Sequence, residues 1–440
     1  MDFFAASAIL VLYYIRPQDW VPGLAGANLI QPVALIAMMA VILRRRTRNN
    51  TFSGRVPHDW LMLIYGAYIV YTAPDFSEAL KGFLPLGVFY WVTIESLDNR
   101  RRLGTYLRLW LGMLFCVAGL AVMSLFGFDL TGAVEMTERF KGRLAIGTWI
   151  HGNPNSLAHT VIVAIPICYF FMIWRQNLIK RLQALPLISM AAYCVYCAQS
   201  RGAFVAGAII VAFAILIGRG TFARGLVIVF LATAATAMLS TLPRMNEDLR
   251  SDEGVQGRIM AWEIARTASR RDTTGEGWKK FEAYISYQGE IIRKATHSCY
   301  VRVAADLGYP GLFIYLAIIW ISFRTVALRV TETDESERIR RVIMVLAVGY
   351  IISGWMIDRS YYVEYFLIAA VAGAFHRLSL SSSRNETLEN QVCADMGKSE
   401  LHPVILGKLF DRRFGIADAL VSTVLTYGSL YMWDYILEVL

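Results

Sequence analysis

Mostly apolar stretches of bilayer length recur from one end of this chain to the other, and the charged residues are bunched into short clusters between them. A helix needs roughly 20 apolar residues to cross the hydrocarbon core, somewhat fewer when its ends can snorkel. Hydrophobic residues make up 56% of the chain. A soluble fold would have to hide them in one oversized core, and domains split rather than grow in that way. The spacing predicts an all-α fold, a polytopic bundle of about twelve transmembrane helices. They fall near 2–15, 25–43, 59–73, 79–95, 103–127, 154–174, 184–199, 203–218, 225–241, 308–323, 341–356 and 362–375. No cleavable signal peptide is expected, because Met1 to Ile15 has no basic start and no small-residue cleavage site.

Lys and Arg in short loops set orientation, since positive loops stay in the cytoplasm. With a cytoplasmic N-terminus, the even-numbered loops hold Arg44 to Arg46 with Arg48, then Arg100 to Arg102, then Arg175, Lys180 and Arg181. They continue with Arg219 and Arg224, then Arg324, Arg329 and the Arg338 to Arg341 cluster. The odd loops hold Pro74 to Glu78, Thr131 to Ile150, the Gln199 to Gly202 corner, a long polar segment from Thr241 to about Ser298, and Asp358 to Tyr361. Those face outward. The net charge of +9 therefore reports orientation and anionic lipid, and no nucleic acid is needed to explain it.

Four cysteines, Cys116, Cys168, Cys194 and Cys197, fall in apolar spans and Cys393 in the inner tail, so no disulfide framework is implied. The C-x-x-C of Cys194 and Cys197 reads as helix packing. The chain divides into a transmembrane domain over 1–378 with its large outer loop at about 241–298, a polar linker over 379–403, and an apolar C-terminal segment over 404–440. That last segment suits an interfacial helix or a further crossing. Asn385-Glu386-Thr387 fits a glycosylation sequon but falls on the inner side.

Ionisable groups at a membrane edge are expensive and mark function. Four clusters fall on the outer side. Arg143 and Gly147 lead into His151-Gly152-Asn153-Pro154-Asn155-Ser156 at a helix start, where Asn, Pro and Ser also serve as ordinary caps. Ser200-Arg201-Gly202-Ala203 puts a guanidinium at a second helix start, an arrangement suited to an anion or to lipid phosphate. Gly257-Arg258 with Trp262 shares one face of a helix in the long loop. His297-Ser298-Cys299-Tyr300, followed by Asp306-Leu307-Gly308-Tyr309-Pro310-Gly311-Leu312, sets a histidine just before the chain re-enters the membrane.

Arginines, a histidine and amides on one membrane face suit an anionic ligand. There is no D-x-D, no Cys/His metal array, no phosphate-binding Gly-rich loop and no dinucleotide fingerprint, so no cofactor is called for.

These motifs, in this order over roughly residues 140 to 320, resemble the bacterial O-antigen ligase and O-antigen polymerase superfamily. The resemblance implies an inner-membrane glycosyltransferase with a periplasmic active site and a large periplasmic loop between its ninth and tenth helices. Such enzymes move a glycan from an undecaprenyl diphosphate carrier to an acceptor hydroxyl, such as lipid A-core or a growing glycan, without metal or nucleotide sugar. It implies Arg201 and Arg258 as diphosphate binders and His297 as the residue that assists the acceptor. Around these catalytic residues, Arg143, His151, Asn153, Asn155, Ser200, Trp262 and Tyr300 are the expected substrate-binding residues, with Glu263 or Asp306 available to orient the imidazole. Ligase, O-antigen or exopolysaccharide polymerase, and protein O-glycosyltransferase stay open as activities. A transporter or flippase would instead need mid-span charges and internal repeats, neither of which is clear.

Overall fold

The computed structural model describes residues 1–48, 56–217, 253–287, 290–329, 331, 333–395 and 414–439. The expected span at 225–241 and the first part of the long loop lie outside the described residues.

Eleven of the expected spans coincide with helices: Asp2–Ile15, Ile30–Arg48, Pro57–Thr72, Phe76–Ser96, Arg100–Ser124, Pro154–Ile173, Leu178–Ala198, Arg201–Leu216, Cys299–Ala327, Asp334–Ser353 and Val363–Asp395. Five of these, Arg100–Ser124, Pro154–Ile173, Leu178–Ala198, Cys299–Ala327 and the Val363–Leu380 part of the last, are long and apolar enough to cross a membrane. The starts were legible because polar caps precede them. Asp75, Asn99, Asn153, Asn177, Ser200, Ser298 and Thr333 each accept a hydrogen bond from a first-turn amide of the helix that follows. The last helix runs on to Asp395, into the stretch read as a polar linker.

Two patterns of apolar side chains follow. Tyr65, Tyr315, Tyr365 and Phe366 are fully buried between helices, with Tyr315 stacked on Tyr365 at 4.4 Å. Leu35, Ile36, Met39 and Leu43 on one helix, and Leu178, Ile179, Leu182 and Leu185 on another, point outward, as suits a hydrocarbon solvent.

Polar contacts sort the loops onto two ends. At one end Arg44 meets Asp2 at 2.6 Å and Asp98 at 3.0 Å, and Arg377 meets Glu95 at 3.0 Å. Arg175 meets Asp334 at 2.7 Å, and Arg341 donates to the Ile217 carbonyl at 3.1 Å. These join the N-terminus to the loops expected inside. At the other end Trp149 N donates to Asp19 at 2.8 Å, Leu144 N to the Cys197 carbonyl at 3.0 Å, and Cys299 N to the Gly354 carbonyl at 2.7 Å. Lys280 meets Glu78 there at 2.5 Å. Each contact joins segments expected outside, so the loops fall together as their arginine content predicts.

The long loop carries a helix, Glu253–Arg271, and an antiparallel hairpin of β1 (Ala283–Tyr287) with β2 (Glu290–Lys294), paired Ala283 to Lys294. The hairpin was not expected. The loop docks on a break in the helix Cys299–Ala327, where Gly308 has φ 66° and Pro310 follows. Tyr309 N donates to the Thr273 carbonyl at 3.1 Å, and Gly277 N to the Asp306 carbonyl at 2.7 Å. A Cβ on Gly308 would lie 2.0 Å from the Thr273 carbonyl oxygen, so only glycine permits the approach.

The C-terminal segment forms the helix Ile416–Val439, packed along Cys299–Ala327. Buried Asp418 pairs with Arg324 at 3.1 Å and accepts from Trp320 Nε1 at 3.0 Å. About one and a half helical turns before its end, Asp434 accepts from Arg270 at 3.1 Å.

Candidate active site

The three residues expected to act chemically are placed by three separate elements. Arg201 opens the helix Arg201–Leu216, with Ser200 Oγ accepting from Ala203 N at 3.4 Å. Arg258 lies on the loop helix. His297 lies between β2 and the helix Cys299–Ala327 with φ 51°, a left-handed backbone uncommon for a residue with a side chain. Its neighbours hold it there. Trp262 Nε1 donates to the Thr296 carbonyl at 2.6 Å on one side, and Ser298 caps the following helix through Val301 N at 3.5 Å on the other.

Cationic charge gathers at this histidine. Burial, then the Arg258 guanidinium, then Lys294 push the His297 imidazole down to about 4, so it is neutral at pH 7. Lys294 reaches it because the hairpin ends there. The Lys294 stem lies against Gly257, where a Cβ would stand 3.2 Å from its Cε. The same Arg258 charge also acts on His159, and the His159 Nε2 faces Gly202. The Ser200 corner therefore abuts His159, and the Arg258 charge reaches both His159 and His297.

The remaining expected site residues divide by what they touch. Arg143 donates to the Asn155 side chain at 2.8 Å and to the Ala198 carbonyl at 3.2 Å, tying two outer segments just behind the Ser200 corner. Asn153 spends its side chain on Asn155 N at 2.9 Å, as an ordinary cap does. His151 is fully buried between Tyr14, at a 6.4 Å ring separation, and the Thr160 hydroxyl at 3.5 Å. Burial first, then Arg359 and Arg16, hold it well below the ordinary imidazole range. Trp262 and Tyr300 flank Trp355, at 6.1 and 4.9 Å, and the Tyr300 hydroxyl donates to the Ile351 carbonyl at 2.6 Å. These aromatics pack behind His297.

Neither carboxylate proposed to orient the imidazole is turned to that task. Asp306 is taken by Arg302 Nε at 2.6 Å and Phe281 N at 2.8 Å. Glu263 lies on the exposed face of its helix, 3.5 Å from Arg266. The backbone on either side of His297 is held instead, by Trp262 at Thr296 and by the Ser298 cap.

Sequence reasoning missed a buried network next to this site. Arg359 pairs with Glu364 at 2.8 Å and donates to Thr160 Oγ1 at 2.6 Å, while Tyr13 donates to Glu364 at 2.7 Å. A cavity lined by Tyr14, His159, Thr160, Ser353, Arg359 and Glu364 lies among them. The one readable signal was an arginine in the short outer loop at 358–361.

Residues 186–316 match a family model described as O-antigen ligase. This segment is similar to the O-antigen ligase superfamily. The superfamily match includes Ser200, Arg201, Arg258, Trp262, His297 and Tyr300 and leaves out Arg143, His151, Asn153, Asn155 and His159. No curated protein matches the chain at a significant level. An all-helical membrane protein with O-antigen ligase or polymerase-like activity on lipid-linked glycans fits both the match and the fold.

Proposed function

We propose that this chain is an O-antigen ligase-like inverting glycosyltransferase. It takes a glycan from undecaprenyl diphosphate and joins it to an acceptor hydroxyl, such as that of lipid A-core, at the periplasmic face of the bacterial inner membrane. The observation that carries the reading is the meeting of Arg258 and Lys294 at a neutral His297 inside the ligase-family segment.

The chemistry follows from those residues. The acceptor oxygen attacks the anomeric carbon from the face opposite the diphosphate, forming one C–O bond as the other breaks, which inverts the centre. The bonding electrons leave on the diphosphate oxygen, where planar guanidinium groups of Arg201 and Arg258 neutralise the growing charge in the role a divalent metal plays elsewhere. The hydroxyl proton passes to the His297 imidazole, which its surroundings hold unprotonated and ready to accept it.

The test is complementation of a deletion strain, read by lipopolysaccharide profile. Core lacking O-antigen, restored by the wild-type chain and not by Arg258→Ala or His297→Gln, supports ligation. Core capped with single repeat units in the deletion strain identifies polymerisation by the same donor chemistry. A normal profile in the deletion strain with full function in both variants overturns the reading.

A further inference from the structure

His159 belongs to none of the sequence motifs, yet it stands against the Ser200–Gly202 corner. It lies on the helix Pro154–Ile162, one turn beyond Asn155, and only 4% of it is exposed. Its Nδ1 is 3.1 Å from Ser353 Oγ, whereas its Nε2 has no hydrogen-bond partner. A buried polar nitrogen left unpaired costs about 1–3 kcal/mol, so such an atom in a native fold has a use. Nε2 is aimed at the first turn of the helix Arg201–Leu216: a Cβ on Gly202 would stand 3.3 Å from it and 3.0 Å from Met356 Sδ. Glycine at 202 lets that helix turn come this close to the ring. A helix N-terminus, Arg201 and the field of Arg258 all favour an anion at that turn. Beside an anion a ring nitrogen must present N–H rather than a lone pair. That tautomer leaves Nδ1 as the acceptor, and the Ser353 hydroxyl at 3.1 Å is a donor that suits it.

We propose that His159 is a third, uncharged ligand of the anionic group, its Nε2–H donating to a phosphoryl oxygen at the Ser200–Gly202 corner while Ser353 positions the ring. This rests on the lipid-diphosphate reading of the site and adds a contact to it. Gly202 is then a requirement of binding as well as of packing.

The test is titration of the purified full chain in nanodiscs with undecaprenyl diphosphate, with undecaprenol as the phosphate-free control and inorganic pyrophosphate as competitor. Wild type is expected to bind the diphosphate far better than undecaprenol, and pyrophosphate is expected to compete. His159→Leu is expected to weaken diphosphate binding by about tenfold or more, the worth of one hydrogen bond to a charged group. His159→Gln, whose amide restores a donor near Nε2, is expected to stay within about threefold of wild type, with Ser353→Ala between the two. Wild-type affinity in His159→Leu, or equal loss in the Leu and Gln variants, overturns the proposal. Arg258→Ala separates the two ideas. Lost binding there with normal binding in His159→Leu removes only the third ligand. Normal binding in both, or equal affinity for undecaprenol, removes the lipid-diphosphate reading itself.

Discussion

Both ends of the bundle are rich in arginine, and they use it differently. At the end expected inside, Arg44 is matched to Asp2 and Asp98 and Arg45 to Glu95 from distant segments, and Arg340 and Arg341 to Glu337 one turn earlier on their own helix. The local pairs hold Glu337 down to about 2 through Arg340, Thr331 and Arg341 despite its burial. At the outer end Arg302 and Arg359 are likewise paired, with Asp306 and Glu364, but the charges of Arg258 and Lys294 fall on the His297 imidazole. A carboxylate beside a cation keeps its own charge, whereas an imidazole beside one stays neutral. The arginines expected to set orientation gather at one end, and the cations of the proposed site at the other.

The largest expected effect lies at His297. His297→Ala should lower transfer by about 10²–10⁴-fold while donor affinity stays near wild type, because the proton moves only in the transition state. Parallel measurement of turnover and of carrier binding checks it, and a matching loss of binding would make His297 an anchor rather than a base. Next come Arg201→Ala and Arg258→Ala, each expected to weaken binding and turnover together by roughly tenfold or more, with Lys a partial substitute. Equal activity losses in Arg44→Ala, measured on protein of unchanged abundance, would erase the contrast between the two ends.

Smaller still is a shift along the pH axis. A base must be unprotonated, so kcat/KM should rise with pH through about 4, where burial, Arg258 and Lys294 have pushed the imidazole. Lys294→Met removes one of those cations, so the His297 value rises and the limb moves to higher pH. A limb that stays in place would mean that another group titrates. The smallest effect is expected for the exposed pair of Arg175 with Asp334, where Arg175→Ala should change thermal stability by no more than about 1 kcal/mol and leave transfer intact.

The apolar runs, the caps and the arginine-bearing loops made most helices readable, and their placement on two ends followed from loop parity. Arg201, Arg258 and His297 stand out in the sequence because Gly, Ser and aromatic residues mark them locally. His159 was not, since a lone histidine inside an apolar run carries no local signature, and its exposure to Gly202 depends on how two helices cross. Lys294 looked like one charge among many in a polar loop until the hairpin delivered it to Gly257. Asp306 misled for the opposite reason. Its position near the histidine in sequence suggested a partnership, whereas Arg302, one helical turn before it, was the nearer claimant.

The helix Ile416–Val439 bears on how the enzyme is made. Its 24 residues reach about 36 Å at the α-helical rise of about 1.5 Å per residue, enough to run from the Arg324 end of its neighbour to the loop helix that carries Arg258. Asp434 grips Arg270 across 164 residues of sequence. During synthesis that grip closes only after the ribosome has passed Asp434, well after Trp262 has met Thr296 and Thr273 has met Tyr309. The loop helix is therefore docked first through its own neighbours, and the C-terminal helix adds its hold last.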